Sequence, residues 1–440
     1  MTSILKESHY TPGAFLDALG APSLAAVLGQ VHPRALFWLR TLMKARAFFL
    51  IPKLNRRLGK GSWEIQSYTF TYRSQTVDGR EIEMSGRVTF PGFKAKGKPH
   101  QVRTISLHSH QAFLSPEWAP SQNLMFMPFK VLWDSAVIEP DLQKWGVNFA
   151  KENDGGGSGV HMARQLADCT VAGLEIMQQH GVTLAPEGYT INWGSSQGAV
   201  PALMFAKWYD TEAPQEFKDT MRLKYTFSGE GAADMSAFME YNYRHTELID
   251  PDFIVLVAYF KAFTPEQLGG YKPQEFVPQW YLEPKIPVNG RDYSLMDVAS
   301  YFTPAETGPY SRTMTSYDQV VAPDMLTARG EVDMDSPKVR AWLSCLKKHN
   351  NLESWTPAHS VYVAHSPQDD MIPYEIAYNA YSTISGQGKN ANVHMMSVPF
   401  PRFIPTGGLN AHLVTAFLMQ VYMSLVQHPK DMFRLFKSVR

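Results

Sequence analysis

The chain has 440 residues, 44% hydrophobic and 19% charged, a composition that indicates a folded globular protein with a large core. Lys plus Arg and Asp plus Glu number 41 each, so no net charge favours nucleic acid or an anionic membrane as a partner. The two cysteines, Cys169 and Cys345, are too few for a disulfide framework or a cysteine-based zinc site.

The amino terminus predicts no secretory signal, because it lacks a basic region followed by a long apolar run. No uncharged apolar stretch is long enough to cross a bilayer, so no transmembrane segment is expected. Two locations fit these features: the cytoplasm, or the exterior for a protein whose signal has been removed.

Residues 1–62 are predicted to form a helical extension. Apolar residues from Ala35 to Leu50 recur at helical spacing, with basic residues between them. They are too evenly spread to form a membrane-surface face, so packing on the rest of the protein is favoured over membrane contact.

Residues 63–232 have the pattern of the first part of an α/β core. Tyr68–Tyr72 and Ile82–Phe90 alternate in polarity around Asp78-Gly79, which predicts antiparallel strands joined by a turn. Further strands are predicted at Val102–Leu107, Gly146–Ala150 and Leu223–Ser228.

A glycine-rich loop, Gly155 to Gly159, precedes a predicted helix at Val160–Gln179, and Gly181 favours a left-handed end to that helix. The loop lacks the Gly-Lys-Ser/Thr ending of a P-loop and the spacing of a dinucleotide fingerprint. It is therefore interpreted as a tight loop and not as a phosphate site.

The most informative stretch is Tyr189–Lys207. A β-branched apolar run ends at Trp193, Gly-Ser-Ser-Gln-Gly follows at 194–198, and an alanine-rich helical segment begins. This order of strand, tight turn and helix is what a nucleophile elbow requires, with small residues where strand and helix nearly touch. Ser196 is the candidate nucleophile, and the backbone N–H of Gln197 is a candidate oxyanion donor at the helix start.

The alternation of strands and helices stops in residues 233–350, which are rich in Met, Tyr, Phe and Pro and are predicted to form a largely helical cap. Alternation resumes in residues 351–440, with strands at Ser360–Ala364 and Val393–Val398 and a last helix at Leu413–Val426. The chain therefore predicts an α/β fold, with a mainly parallel sheet covered by helices on both faces and a cap inserted in it.

Two later motifs resemble those of the α/β-hydrolase superfamily. The stretch from His365 to Pro373 resembles the superfamily's acid turn, in which an Asp precedes a short apolar pair ending in Pro; this register matches Asp369 to the acid, with Asp370 as the alternative. Gly407 to Leu413 resembles the histidine loop, with His412 as the matching residue. The chain order Ser, Asp, His is the one this superfamily uses.

The resemblance implies a triad of Ser196, Asp369 and His412. His412 would take the proton of Ser196 and later deliver it to the leaving group, while Asp369 would orient the imidazole and stabilise its cation. Family members commonly carry His-Gly after the strand that ends here in His108, whereas this chain has Ser109. By register, His110 is the second oxyanion donor and Gln111 the alternative.

The resemblance covers the chain from about Tyr68 to the end. Within the superfamily, the chain is similar to the capped esterase and secretory-lipase branch. It implies a serine ester hydrolase that needs no cofactor and no metal and acts through an acyl-enzyme. Lipid, short-acyl and acylated-sugar esters are all candidate substrates. A peptidase or acyltransferase on the same triad, or a binding protein without catalysis, are the alternatives, since fold alone does not set function.

Overall fold

A nine-stranded sheet runs through the middle of the protein, as seen in a computed structural model. The structure describes residues 2–19, 51–95, 98–110, 119–122, 124, 131, 134–143, 145–148, 155–245, 259–282, 286–288, 291–293, 321–369, 371–397 and 412. The strands are β1 (Ser3–Tyr10), β2 (Trp63–Gln75), β3 (Glu81–Phe93), β4 (His100–Ser109), β5 (Ser135–Pro140), β6 (Val182–Ser195), β7 (Leu223–Gly229), β8 (Ile286–Val288), β9 (Arg291–Tyr293), β10 (Ser360–His365) and β11 (Val393–Ser397).

The order across the central sheet is β1-β2-β3-β5-β4-β6-β7-β10-β11. The first four strands in that order pair antiparallel, and from β5 to β11 every neighbouring pair is parallel. The sheet is therefore mainly parallel, which confirms the predicted fold class. Short strands β8 and β9 pair antiparallel with each other, outside this sheet.

Helices cover both faces of the sheet. The described helices are α1 (Pro12–Leu19), α2 (Gly159–Gln179), α3 (Ala199–Thr211), α4 (Gln215–Met221), α5 (Met235–Arg244), α6 (Gln279–Leu282), α7 (Pro337–His349) and α8 (Tyr374–Ser385), and residues 51–58 are also helical. Buried residues of α2 and α3 join one core cluster with alternate residues of the strands, such as Val361 and Val363 of β10. Ala364, on the opposite side of that strand, joins a second cluster with Phe15 and Leu54. Period-two alternation along the strands thus supplies two apolar faces.

Several predicted elements are confirmed. The stretches around Asp78-Gly79 form the antiparallel pair β2 and β3, and Gly79 has a φ of +83° in the turn between them. The predicted helix is α2, and Gly181, just beyond it, has a φ of +75°. A left-handed glycine ends a helix because it carries no Cβ that would clash in that conformation.

One predicted strand was wrong, and one strand of the sheet was not predicted. Gly146–Ala150 was predicted as a strand, but Gly146–Asn148 form a 3₁₀ turn, in which Gly146 has a φ of +59°. A left-handed residue cannot continue a strand. The strand in this part of the chain is β5, whose three apolar residues are too few to be recognised by periodicity.

The amino-terminal extension is not helical throughout. Residues 3–10 form β1, which pairs with β2 from Ser3 opposite Thr71 to Tyr10 opposite Ile65. The free edge of β2 supplies hydrogen-bond partners that local sequence does not reveal. The helix predicted at 35–50 and the last helix at 413–426 lie outside the described residues. The cap boundaries at 233 and 350 remain a prediction; within them the described residues include α5, α6 and α7 together with β8 and β9.

Candidate active site

Ser196 lies at a strained turn between β6 and α3. β6 ends at Ser195, Ser196 opens one turn of 3₁₀ helix, and α3 begins at Ala199. Ser196 has a φ of +55°, a left-handed conformation that costs a non-glycine residue energy and that clusters at functional sites. The residue is partly exposed, as access by a substrate would require.

Two glycines allow the turn to close. A Cβ on Gly194 would collide with the carbonyl oxygen of Gly198, and a Cβ on Gly198 would collide with the carbonyl oxygens of Ser109 and His110. The turn therefore packs directly on itself and on the end of β4. The close approach of strand and helix that the sequence suggested is the geometry of this turn.

Asp369 and His412 form a buried hydrogen-bonded pair. His412 Nδ1 donates to Asp369 Oδ2 over 2.8 Å, and both side chains are buried. The other oxygen, Asp369 Oδ1, accepts the backbone N–H groups of Met371 at 3.0 Å and Ile372 at 3.1 Å. The carboxylate is thereby fixed from both sides, and the imidazole is held in the tautomer that leaves Nε2 as the basic nitrogen. Of the two acids the sequence left open, Asp370 lies outside the described residues.

The surroundings favour the ionised form of Asp369. Burial opposes ionisation, but His412 and then His365 outweigh it and hold the pKa of Asp369 below its usual value. His365 ends β10, and its Nε2 donates to the carbonyl oxygen of Ile372 over 2.7 Å and lies 3.5 Å from Asp369 Oδ2. Burial lowers the pKa of His365 and so favours its neutral ring. Through its hydrogen bond to Ile372, this ring stabilises the acid turn.

Two of the three oxyanion candidates, Gln197 and His110, lie beside the turn that holds Ser196. Gln197 follows Ser196 directly, and its side-chain Nε2 donates to Tyr259 Oη over 3.0 Å. His110 is buried, and its Nε2 donates to the carbonyl oxygen of Asp141 over 2.7 Å. The carbonyl of His110 faces Gly198, so this residue adjoins the turn through its backbone. Gln111, the alternative donor, lies outside the described residues.

The glycine-rich loop packs against this region. A Cβ on Gly156 would collide with the side chain of Gln197 and lie 2.6 Å from the ring of Tyr259, and one on Gly157 would lie 3.1 Å from the ring of Phe263. Close packing of the loop under residues 259–263 explains its glycines without a phosphate. Among the described residues, no cluster of His, Cys, Asp and Glu is arranged to hold a metal ion.

A buried ion cluster supports the strand that leads to His110. Arg87 Nη2 donates to Glu139 Oε2 over 2.7 Å, and His108 Nδ1 donates to Glu139 Oε1 over 2.9 Å. Burial opposes ionisation of Glu139, but Arg87 and His108 lower its pKa to about 2. His108 also stacks on Trp193, with ring centroids 4.1 Å apart, so the ends of β4 and β6 are tied together. Ser109, which stands where the α/β-hydrolase superfamily that the sequence resembles commonly has glycine, is fully buried at this junction.

Glu230 is a buried acid that the sequence reasoning missed. It follows the last residue of β7 and is fully buried, and its Oε1 accepts a hydrogen bond from the hydroxyl of Ser195. Burial raises its pKa to about 8, although His412 and then Ser195 favour its ionised form. The signal in the sequence was its place just after a strand end, the same place that Ser196 and Asp369 occupy.

Neither a family model nor a curated protein matches the sequence. Solved structures do match. The rice cell wall degrading esterase LipA from Xanthomonas oryzae aligns with a TM-score of 0.59 at 16% identity, covering 97% of each chain. A putative hydrolase from Legionella pneumophila aligns with a TM-score of 0.57 at 15% identity, covering 90% of this chain and 92% of its own.

The chain has the α/β-hydrolase fold. In open α/β sheets, active sites form beyond the carboxyl ends of the parallel strands. Ser196, Glu230 and Asp369 all follow such strand ends, on β6, β7 and β10, which are neighbours in this α/β-hydrolase sheet. No helix among the described residues is long and apolar enough to cross a membrane.

Proposed function

We propose that the protein is a serine hydrolase that cleaves carboxylic esters, with Ser196 as the nucleophile, His412 as the base and Asp369 as the acid that orients His412. The observation that carries this proposal is the buried hydrogen bond from His412 to Asp369 in a fold whose β6–α3 turn holds Ser196 in a left-handed conformation. The structural neighbour from Xanthomonas oryzae is an esterase, which supports the same reaction class.

The reaction begins when Nε2 of His412 accepts the proton of Ser196 as its oxygen attacks the ester carbonyl. Asp369 stabilises the imidazolium that forms. The backbone N–H of Gln197, at the start of the helical turn, and that of His110, with Gln111 as the alternative, stabilise the oxyanion. His412 then protonates the leaving alcohol, and an acyl-enzyme remains on Ser196.

Water then hydrolyses the acyl-enzyme, with His412 acting again as base and then as acid. His412 accepts a proton from the water molecule that attacks the acyl-enzyme, and it returns this proton to Ser196 as the acid leaves. No step needs a metal or an organic cofactor. Lipid, short-acyl and acylated-sugar esters are the substrate classes to compare.

A fluorophosphonate probe tests the nucleophile. The wild-type protein and Ser195→Ala, the matched control, are expected to be labelled at the endpoint, whereas Ser196→Ala is expected to stay unlabelled. Labelling that persists in Ser196→Ala would assign the nucleophile elsewhere. A wild-type protein that is not labelled would leave only the binding-protein alternative.

Turnover of p-nitrophenyl esters with acyl chains of increasing length tests the reaction class. A maximum at acetyl would assign short-acyl or sugar-borne esters, and rising turnover beyond octanoyl would assign lipid esters. Labelling without turnover of any ester would contradict ester hydrolysis and favour a peptidase or acyltransferase, which amide substrates and added acceptor alcohols would then distinguish.

A further inference from the structure

Glu230 is a buried carboxyl for which the proposed reaction has so far no use. Its backbone N–H donates to the carbonyl oxygen of Ala364 over 2.8 Å, which ties the end of β7 to the end of β10. Its φ of +31° is rare for a residue with a side chain, and such strain persists only where the surroundings hold it. The backbone at Glu230 is thus constrained next to the strand that leads to Asp369.

The side chain points at the nucleophile turn. One oxygen accepts the hydroxyl of Ser195, the residue directly before Ser196, and the other oxygen has no hydrogen-bond partner among the described residues. Burying a carboxyl with one oxygen unsatisfied is costly, and a core built for stability alone would avoid it. A role of the Glu230 carboxyl in the reaction would explain why it is buried in this way.

Among the described residues, the charged groups that act on Glu230 are His412 and Asp369, both of the candidate site. His412 favours its ionised form electrostatically, and Asp369 opposes it. His365, whose Nε2 lies 3.5 Å from Asp369 Oδ2, is a further titratable group in the described part of the acid turn, and burial favours its neutral form. Glu230 is therefore within electrostatic reach of the base on one side and hydrogen-bonded to the neighbour of the nucleophile on the other.

We propose that Glu230 is a positioning residue of this hydrolase, which holds the nucleophile turn through the Ser195 hydroxyl and places a second carboxyl beside the His412 and Asp369 pair. This inference rests on the proposed function. While neutral, Glu230 acts through its hydrogen bond to Ser195. Once ionised, it adds a negative charge that stabilises the imidazolium of His412, so kcat increases as pH rises through the pKa of Glu230, about 8.

The test compares Glu230→Ala, Glu230→Gln, Ser195→Ala and the double variant Glu230→Ala/Ser195→Ala, using ester turnover normalised to the fraction labelled by fluorophosphonate. Glu230→Ala and Ser195→Ala are each expected to lower kcat about tenfold, the value of one good hydrogen bond, with KM changed by less than about threefold. The double variant is expected to resemble Glu230→Ala, because both changes remove the same contact.

The Glu230→Gln variant separates the effect of the hydrogen bond to Ser195 from the effect of the negative charge. Its amide oxygen can still accept the Ser195 hydroxyl, so kcat near pH 6 is expected to lie between those of the wild type and Glu230→Ala. Because the amide cannot ionise, the increase in kcat near pH 8 is expected in the wild type and absent from this variant. Ser228→Ala is the control, since it removes a buried hydroxyl of the neighbouring strand β7, which donates to the carbonyl oxygen of Ala199 over 3.2 Å. This variant is expected to keep the increase in kcat near pH 8.

The outcomes separate the two proposals. If the wild type is neither labelled nor active, the proposed function fails. If the wild type is labelled and active but Glu230→Ala keeps the wild-type kcat and pH profile, only the role of Glu230 fails. The role of Glu230 would also be overturned if the losses in kcat of the two single variants multiplied in the double variant. The same holds if Glu230→Gln kept the increase in kcat near pH 8.

Discussion

At the scale of single residues, the proposed site and the strands beside it hold buried carboxyl groups whose surroundings set their charge. Asp369 and Glu139 are buried next to cationic or hydrogen-bonding partners and have lowered pKa values, whereas Glu230 is buried with one hydroxyl partner and has a raised pKa. Groups whose environments drive their pKa values apart are typical of active sites. This division could not be read from the sequence, because it depends on which side chains meet across the sheet.

Asp369→Asn tests the orientation of His412. The amide would favour the imidazole tautomer with its proton on Nε2, so His412 could not accept the proton of Ser196. We expect kcat for ester hydrolysis to fall by about 10³–10⁴-fold with KM nearly unchanged, measured from initial rates. A loss below tenfold would indicate that another acid orients the base.

The buried cluster at the end of β4 makes a second prediction at this scale. Arg87→Met would leave Glu139 buried without its cation, which is expected to lower the free energy of unfolding by about 3–5 kcal/mol in urea denaturation. Arg73→Met is the control, because its partner Glu81 is exposed and such pairs contribute about 1 kcal/mol or less. Equal losses in both variants would contradict the role of burial.

At the scale of elements, the turn between β6 and α3 is the part of the proposed site whose local structure the sequence predicted best. Its glycines, its strand before and its helix after are local features, and local features are what a sequence pattern reports. The same reasoning failed at Gly146 and missed β5, because a short strand in the middle of a sheet is determined by its neighbours β3 and β4.

Gly198→Ala tests the packing of this turn. The new methyl group would collide with the carbonyls of Ser109 and His110 and separate the Ser196 turn from the proposed oxyanion donor His110. We expect kcat/KM to fall about 100-fold or more, since displacements near 1 Å have that effect. Gly13→Ala is the control, because a Cβ there meets no atom within 4 Å, and it is expected to keep wild-type activity. Wild-type activity in Gly198→Ala would show that the turn can relax.

At the scale of the whole molecule, Glu230 makes stability depend on pH. In the unfolded chain it ionises near its ordinary pKa of 4.5, whereas in the folded protein it stays protonated up to about pH 8. Between these values the unfolded state loses a proton that the folded state keeps. The free energy of unfolding contributed by this group therefore decreases as pH rises through that window, by up to roughly 1.4 kcal/mol for each pH unit.

Urea denaturation of Glu230→Gln between pH 5 and pH 8 measures this effect. The variant cannot ionise, so its stability relative to the wild type is expected to increase steadily over the window. Glu139→Gln is the matched control: the pKa of Glu139 is about 2 in the folded protein, so its carboxyl is ionised in both states above pH 5 and the difference from the wild type should stay constant. Parallel curves for Glu230→Gln and the wild type would contradict a raised pKa.

The α/β class and the candidate residues Ser196, Asp369 and His412 could be predicted from the amino-acid sequence, because strand and helix periodicity and turns of small residues are local features. The pairing of β1 with the sheet, the hydrogen bond from His412 to Asp369, and the positions of Glu230 and His365 beside Ser195 and Asp369 became visible in the folded chain. These features come from contacts between residues far apart in the chain, and the energies of such contacts depend on burial and on the partners that folding brings together.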